Sequence, residues 1–236
     1  MQSEFPVPSQ STDFDKLAIL KIRDILTKVS KYNYCEIGSY LGGSLTPFIR
    51  DINCEYILSV DDRGKIQPDE RSVDYDYRHI SHQTMIDELS KHNLDLSKLE
   101  TFDGSIHQLN TNTKFDLIFI DGEHTDYACF RDFIYSQKHI KQNSVIMFHD
   151  SNLIYKSLKI IQELLVSNSV SHKFIKVKNS SVSFIFFGDY LDFHKEFDVE
   201  ENDKFYNESE IEVIQHIINN RINANFTIRD KTYITI

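Results

Sequence analysis

The sequence predicts an α/β fold: a seven-stranded, mostly parallel sheet with helices on both faces, a C-terminal antiparallel hairpin, and a small appendage after it. Three observations predict it. Short apolar runs alternate with helical periodicity between residues 33 and 148, each run ends in Gly, Asp or His, and residues 173–188 form two β-prone runs around Asn179-Ser180-Ser181. Such alternation implies parallel strands joined by crossover helices. The final pair, with its short polar turn, implies antiparallel closure.

Taken in order, residues 13–29 place Leu17, Ile19, Leu20, Ile22, Ile25 and Leu26 on one broad face, which predicts a helix covering the sheet edge or a partner subunit. Strands are expected at 33–37, 55–60, 99–102, 115–120 and 144–148. Residues 62–80 follow a strand end with little apolar periodicity and are expected to be a long active-site loop or lid. Residues 1–30 form an N-terminal tail and helix, 31–189 the main domain, and 190–236 the appendage. In that appendage Ile211, Ile214, Ile217 and Ile218 share a helical face, and the closing FTIRDKTYITI alternates as an extra hairpin or a dimerisation element would.

A chain of 236 residues supports one large α/β domain with a short addition. Its net charge of −10 disfavours a nucleic-acid partner, because phosphate binding needs clustered Lys and Arg. Cys35, Cys54 and Cys129 are scattered without metal or disulfide spacing, which suits a reducing cytoplasm. No apolar run approaches the roughly 18 residues of a membrane span, and the first residues lack a basic-then-apolar signal pattern. A cytoplasmic protein is expected.

In a parallel sheet of this kind, ligands bind beyond the carboxyl ends of the strands. Those ends carry Glu36, Asp61, Asp103, Asp121 and the pair His149-Asp150. One such aspartate is as readily a helix cap or a turn residue. Five in succession point to a site. The first turn reads Glu36-Ile37-Gly38-Ser39-Tyr40-Leu41-Gly42-Gly43-Ser44, without the G-x-G-x-x-G that brings a pyrophosphate to a helix N-terminus. Glu36 is expected to repel a pyrophosphate, which disfavours a nicotinamide-dependent oxidoreductase. A cofactor with an amino group and a sulfonium, S-adenosylmethionine, suits an acidic loop better. Asp61 stands where an acid accepts hydrogen bonds from ribose hydroxyls.

Across residues 30–190 these motifs resemble the class I S-adenosylmethionine-dependent methyltransferases, and within them the catechol-type and macrocin-type small-molecule O-methyltransferases. The likeness rests on E-I-G-x-Y-x-G-x-S at 36–44, on S-V-D-D-R at 59–63 with Q-P-D-E-R at 67–71, and on I-D-G-E-H at 120–124 with F-H-D at 148–150. It implies a Rossmann-like sheet. It also implies that Tyr40 and Ser44 hold the methionine carboxylate, that Glu36, Gly38 and Gly42 shape the pocket, and that Asp103 and Ser105 lie near the adenine.

Asp121 and Asp150, at the ends of adjacent strands, offer two hard oxygen ligands for a divalent cation, with Mg²⁺ the first expectation. His149 stands where related enzymes carry a hard ligand. It either completes a site for Mn²⁺ or Fe²⁺ or hydrogen-bonds the cofactor. His124, three residues after Asp121, stands where related enzymes place a general base, or else it caps the following helix or binds the cofactor. The expected activity is methyl transfer to a hydroxyl of a small molecule or sugar, the competing class being a scaffold that binds cofactor without turnover. A homodimer is expected from the amphipathic termini.

Overall fold

The computed structural model describes residues 3–231, with side chains through Asn220. The strands are β1 (Tyr32–Ile37), β2 (Cys54–Asp61), β3 (Ile66–Pro68), β4 (Asp74–Asp76), β5 (Leu99–Asp103), β6 (Phe115–Ile120), β7 (Ile140–Phe148), β8 (His172–Val177), β9 (Ser183–Phe187) and β10 (Val199–Glu200). The α-helices are α1 (Asp13–Val29), α2 (Thr46–Arg50), α3 (His82–Ser90), α4 (Asp126–Ser136), α5 (Tyr155–Ser167) and α6 (Asn202–Lys231).

Eight strands form the main sheet in the order β10-β8-β9-β7-β6-β1-β2-β5. The strands from β5 to β7 pair in parallel, and β9 runs antiparallel between β7 and β8. The Rossmann-like sheet and its closing hairpin are therefore as expected, with one added strand. β10 contributes only two residues at the edge, too few to leave an alternating signature in the sequence.

Strand alternation divides the core into two layers. Leu117, Phe119, Val145 and Met147 face one way, against Ile19, Ile22 and Leu26 of α1. Ile118, Ile120, Ile146 and Phe148 face the other, against Phe133 of α4, Leu158 and Ile161 of α5, and Phe205 of α6. Leu17 departs from its expected place and is half exposed, because Ala18 and Ile19 take the inward positions of that turn.

The stretch 62–80 is more ordered than its composition suggested. β3 and β4 pair antiparallel there, and three-residue strands are too short for periodicity to reveal. Their turn docks on the loop after β6: the Glu70 amide donates to the His124 carbonyl, and Glu70 Oε1 accepts from the Asp126 amide at the start of α4. In the appendage the expected helix is present and runs through Lys231, so the first part of the alternating FTIRDKTYITI is helical rather than a hairpin strand. The remainder, 232–236, lies outside the described residues. Among the described residues no helix is long and apolar enough to cross a membrane.

Candidate active site

The sheet reverses its winding between β1 and β6, and the site forms at the carboxyl ends of those two strands and their neighbours. Ladder bonds carry the chain one residue beyond each strand. Gly38 N–H donates to the Val60 carbonyl, Asp121 N–H to Ile37, and His149 N–H to Ile120. Gly38, Asp121 and His149 thus stand in a row across three strand ends.

A cleft opens above this row. Gly38, Ser39, Tyr40, Gly43, Ser44, Asp61, Asp121 and His124 line it. So do Ser9, Gln10 and Ser11, from a leading segment whose sequence shows no motif. That segment crosses the glycine loop so closely that a Cβ on Gly43 would fall 2.6 Å from the Pro8 carbonyl oxygen. Gln10 also accepts a hydrogen bond from the Tyr77 hydroxyl, and the Tyr77 ring packs edge-on to Tyr40.

Asp61 ties the glycine loop to β2. Its Oδ2 accepts from the backbone amides of Ser39 at 2.9 Å and Tyr40 at 3.1 Å, and Arg63 Nη1 lies 3.2 Å from the same oxygen. The Arg63 head also donates to the Tyr40 carbonyl at 2.8 Å. Burial, reinforced by the nearby Asp103 charge, raises the Asp61 pKa above the ordinary carboxylate value despite Arg63.

Glu36 is placed differently from expectation. It is fully buried and outside the cleft lining, with Oε1 accepting from Ser44 Oγ at 2.6 Å and Oε2 from the Tyr34 hydroxyl. Burial lifts its pKa to about 8. A carboxyl that is mostly neutral near pH 7 does not repel a pyrophosphate, so that argument against dinucleotides falls. Ser44 reaches the cleft, but its hydroxyl proton is committed to Glu36. Gly42 faces Leu89 instead of the cleft. Asp103 is exposed at the end of β5, Ser105 is paired with His107, and neither lines the cleft.

At the ends of β6 and β7, Asp121, His124 and Asp150 bring one donor atom each within 4.8 Å of one another. His124 Nδ1 is 3.1 Å from Asp150 Oδ2, and its Nε2 is 3.9 Å from Asp121 Oδ1. His149, the expected third ligand, lies against both carboxylates. Nδ1 lies 3.0 Å from Asp121 Oδ1 and 3.2 Å from Asp150 Oδ2, while Nε2 faces Asp15 at 3.4 Å and Ser181 Oγ at 3.2 Å. Burial alone would lower the His149 pKa, but the Asp121 and Asp150 carboxylates hold it well above the ordinary value. Burial likewise raises the Asp150 pKa, yet His149 and His124 pull it below the usual range.

Residues 35–151 match a family model described as a methyltransferase domain. Over that stretch the chain is a methyltransferase domain. No curated protein matches the sequence. Among solved structures, the methyltransferase resembles the O-methyltransferase TomG from Streptomyces achromogenes, solved in complex with S-adenosylmethionine. Identity there is 13%, with a TM-score of 0.53 over 79% of this chain and 86% of that one. It also resembles an O-methyltransferase from Bacillus cereus in complex with S-adenosylhomocysteine, at 15% identity and TM-score 0.53 over 77% and 84% of the two chains. A third likeness is to the calicheamicin methyltransferase CalS11, at 13% identity and TM-score 0.56 over 74% and 79%. At these identities the likeness is one of fold. The acidic cluster lies at the wall of the glycine-loop cleft.

Proposed function

We propose that the protein transfers the methyl group of S-adenosylmethionine to a hydroxyl of a small molecule or sugar, with a divalent cation at Asp121 and Asp150 and His124 receiving the proton. One observation carries this reading: Asp121 and His124 belong both to the wall of the glycine-loop cleft and to the cluster completed by Asp150.

The residues fit both groups. For the methyl donor, Gly38, Tyr40 and Ser44 line the cleft, and Asp61 engages the loop through Oδ2 alone, leaving Oδ1 for ribose hydroxyls. For the cation, two carboxylates at adjacent strand ends supply hard oxygen donors suited to Mg²⁺ or Mn²⁺. Such a cation, when bound, lowers the pKa of a hydroxyl beside it. His124 then holds the proton. Its Nδ1 faces Asp150, which selects the Nδ1–H tautomer and leaves Nε2 as the acceptor. The docked β3–β4 hairpin brings Tyr75 within 6.2 Å of the His124 ring, centroid to centroid, and covers part of the cluster, which stays partly exposed. In-line transfer from a sulfonium needs positioning above all.

A second reading has His124 as the third ligand, favoured by the way its donor atom gathers with the two carboxylates. The test is methyl transfer from labelled S-adenosylmethionine to a panel of phenols, sugars and glycosides, before and after chelation and after Mg²⁺ or Mn²⁺ is restored. Loss on chelation with recovery on repletion is expected. Binding of NAD(H) without S-adenosylmethionine would overturn the methyl-transfer reading, and activity indifferent to chelation would remove the cation.

A further inference from the structure

α1 precedes the matched region 35–151, yet its first turn reaches the cluster from behind. Asp15 lies in that turn and is fully buried. Its Oδ2 accepts from the Thr12 amide at 2.8 Å and the Thr12 hydroxyl at 2.7 Å. A helix cap needs no more than that. Yet Oδ1 also accepts from Ser180 Oγ and the Ser181 amide, both at 2.7 Å, in the β8–β9 turn. Oδ2 further faces His149 Nε2 at 3.4 Å, with Ser181 Oγ beside the same nitrogen at 3.2 Å.

The far side of that ring is where the arrangement matters. His149 Nδ1 lies between Asp121 Oδ1 and Asp150 Oδ2 and touches both carboxylates at once. Rotation of the ring about its bond to Cβ would exchange nitrogen for carbon at both ends and drop this bridge. Phe119, packed at 88° to the ring, limits its tilt without distinguishing nitrogen from carbon. The groups that bond Nε2 make that distinction from the side away from the two carboxylates.

We propose that Asp15 is a positioning residue: through His149 it fixes the spacing of Asp121 and Asp150, so that a segment outside the methyltransferase domain completes the cation-binding pair. The inference rests on the proposed reading of those two aspartates. Groups that orient metal ligands from behind affect affinity by about 10- to 100-fold when removed.

The test uses the full chain and Mn²⁺ as probe, with binding followed by electron paramagnetic resonance and the His149 ring by nitrogen-15 resonances. Asp15→Ala should weaken Mn²⁺ by about tenfold or more and alter the His149 ring signals, while leaving S-adenosylmethionine affinity near the wild-type value. Asp15→Asn, which keeps an acceptor oxygen, should restore much of the loss. In a His149→Asn background, Asp15→Ala should add nothing, since residues acting through one another are not additive. An additive loss there, or an unchanged ring signal with unchanged Mn²⁺ affinity in Asp15→Ala, overturns the proposal. Should Asp15→Ala fail to fold, Ser181→Ala removes the other partner of Nε2 and leaves the helix cap. Its altered ring signal then supports the proposal, and an unaltered one sinks it. If the wild-type chain binds no Mn²⁺, the cation reading fails separately, and the ring signals alone decide whether Asp15 orients His149.

Discussion

A Cβ built on Gly38 would lie 2.1 Å from the carbonyl oxygen of Asp121. The two residues follow β1 and β6 at the point where the sheet reverses, and their backbones touch there because Gly38 has no side chain. Gly38 also holds a φ of +87°, a conformation that other residues adopt at a cost. Gly38→Ala therefore meets strain and overlap together, and we expect it to destabilise the fold by about 3 kcal/mol. Urea denaturation measures this, and calorimetry should find S-adenosylmethionine binding lost. A variant with wild-type midpoint and affinity would mean that the loop has room the contact denies.

The two duties proposed for Asp61 are separated by one substitution. Its Oδ2 fastens the Ser39 and Tyr40 amides and balances the buried Arg63 head. Asp61→Ala leaves that guanidinium without its carboxylate, at a cost of about 3–5 kcal/mol for a broken buried pair. Asp61→Asn keeps a side chain of the same shape and should retain more of the stability while still weakening S-adenosylmethionine by about tenfold, as loss of a charge-assisted hydrogen bond predicts. Equal donor affinity in Asp61→Asn and wild type would confine Asp61 to holding the loop.

The sheet was legible because its signals are long and repeated. Residues 117–120 and 145–148 are continuous apolar runs, buried throughout, and each is followed by an acid or a histidine. The same regularity disclosed Asp61, Asp121 and Asp150. What stayed hidden depends on contacts between distant segments. Asp15 reads in sequence as the closing residue of a Thr12-x-x-Asp15 cap, and nothing local reveals that its other oxygen meets residues 180 and 181. The inward turn of Glu36 was equally invisible, since Tyr34 and Ser44 surround it only after the strand and loop have packed. Ser9, Gln10 and Ser11 carry no motif and reach the cleft only because the leading segment crosses Gly43.

Glu36 makes stability depend on pH in an unusual direction. Its folded pKa of about 8 lies above the ordinary 4.5, so the folded state retains a proton that the unfolded chain releases. The contribution is fully present below pH 4.5 and is lost as pH rises through about 8, with a slope of up to about 1.4 kcal/mol per pH unit. Glu36→Gln keeps acceptor and donor without titrating and should flatten the unfolding free energy between those limits. Denaturant titrations at pH 5, 6.5 and 8 read the difference. Parallel curves for the two proteins would show that the carboxyl titrates normally.

His124 discriminates the two readings proposed for the acidic cluster. Its Nδ1 is held by Asp150 and its Nε2 approaches Asp121, so the same ring is placed to accept a proton or to complete a metal site. Loss of a general base costs about 10²- to 10⁴-fold in turnover and leaves cation binding intact. Loss of a ligand weakens the cation itself, and excess Mn²⁺ would then restore much of the rate. For His124→Ala we expect the first pattern: turnover reduced by about a hundredfold or more, S-adenosylmethionine affinity near wild type, and no recovery with added Mn²⁺. Recovery at high Mn²⁺ would reassign His124 as a ligand. Full activity without added metal would place the proton acceptor elsewhere in the cleft.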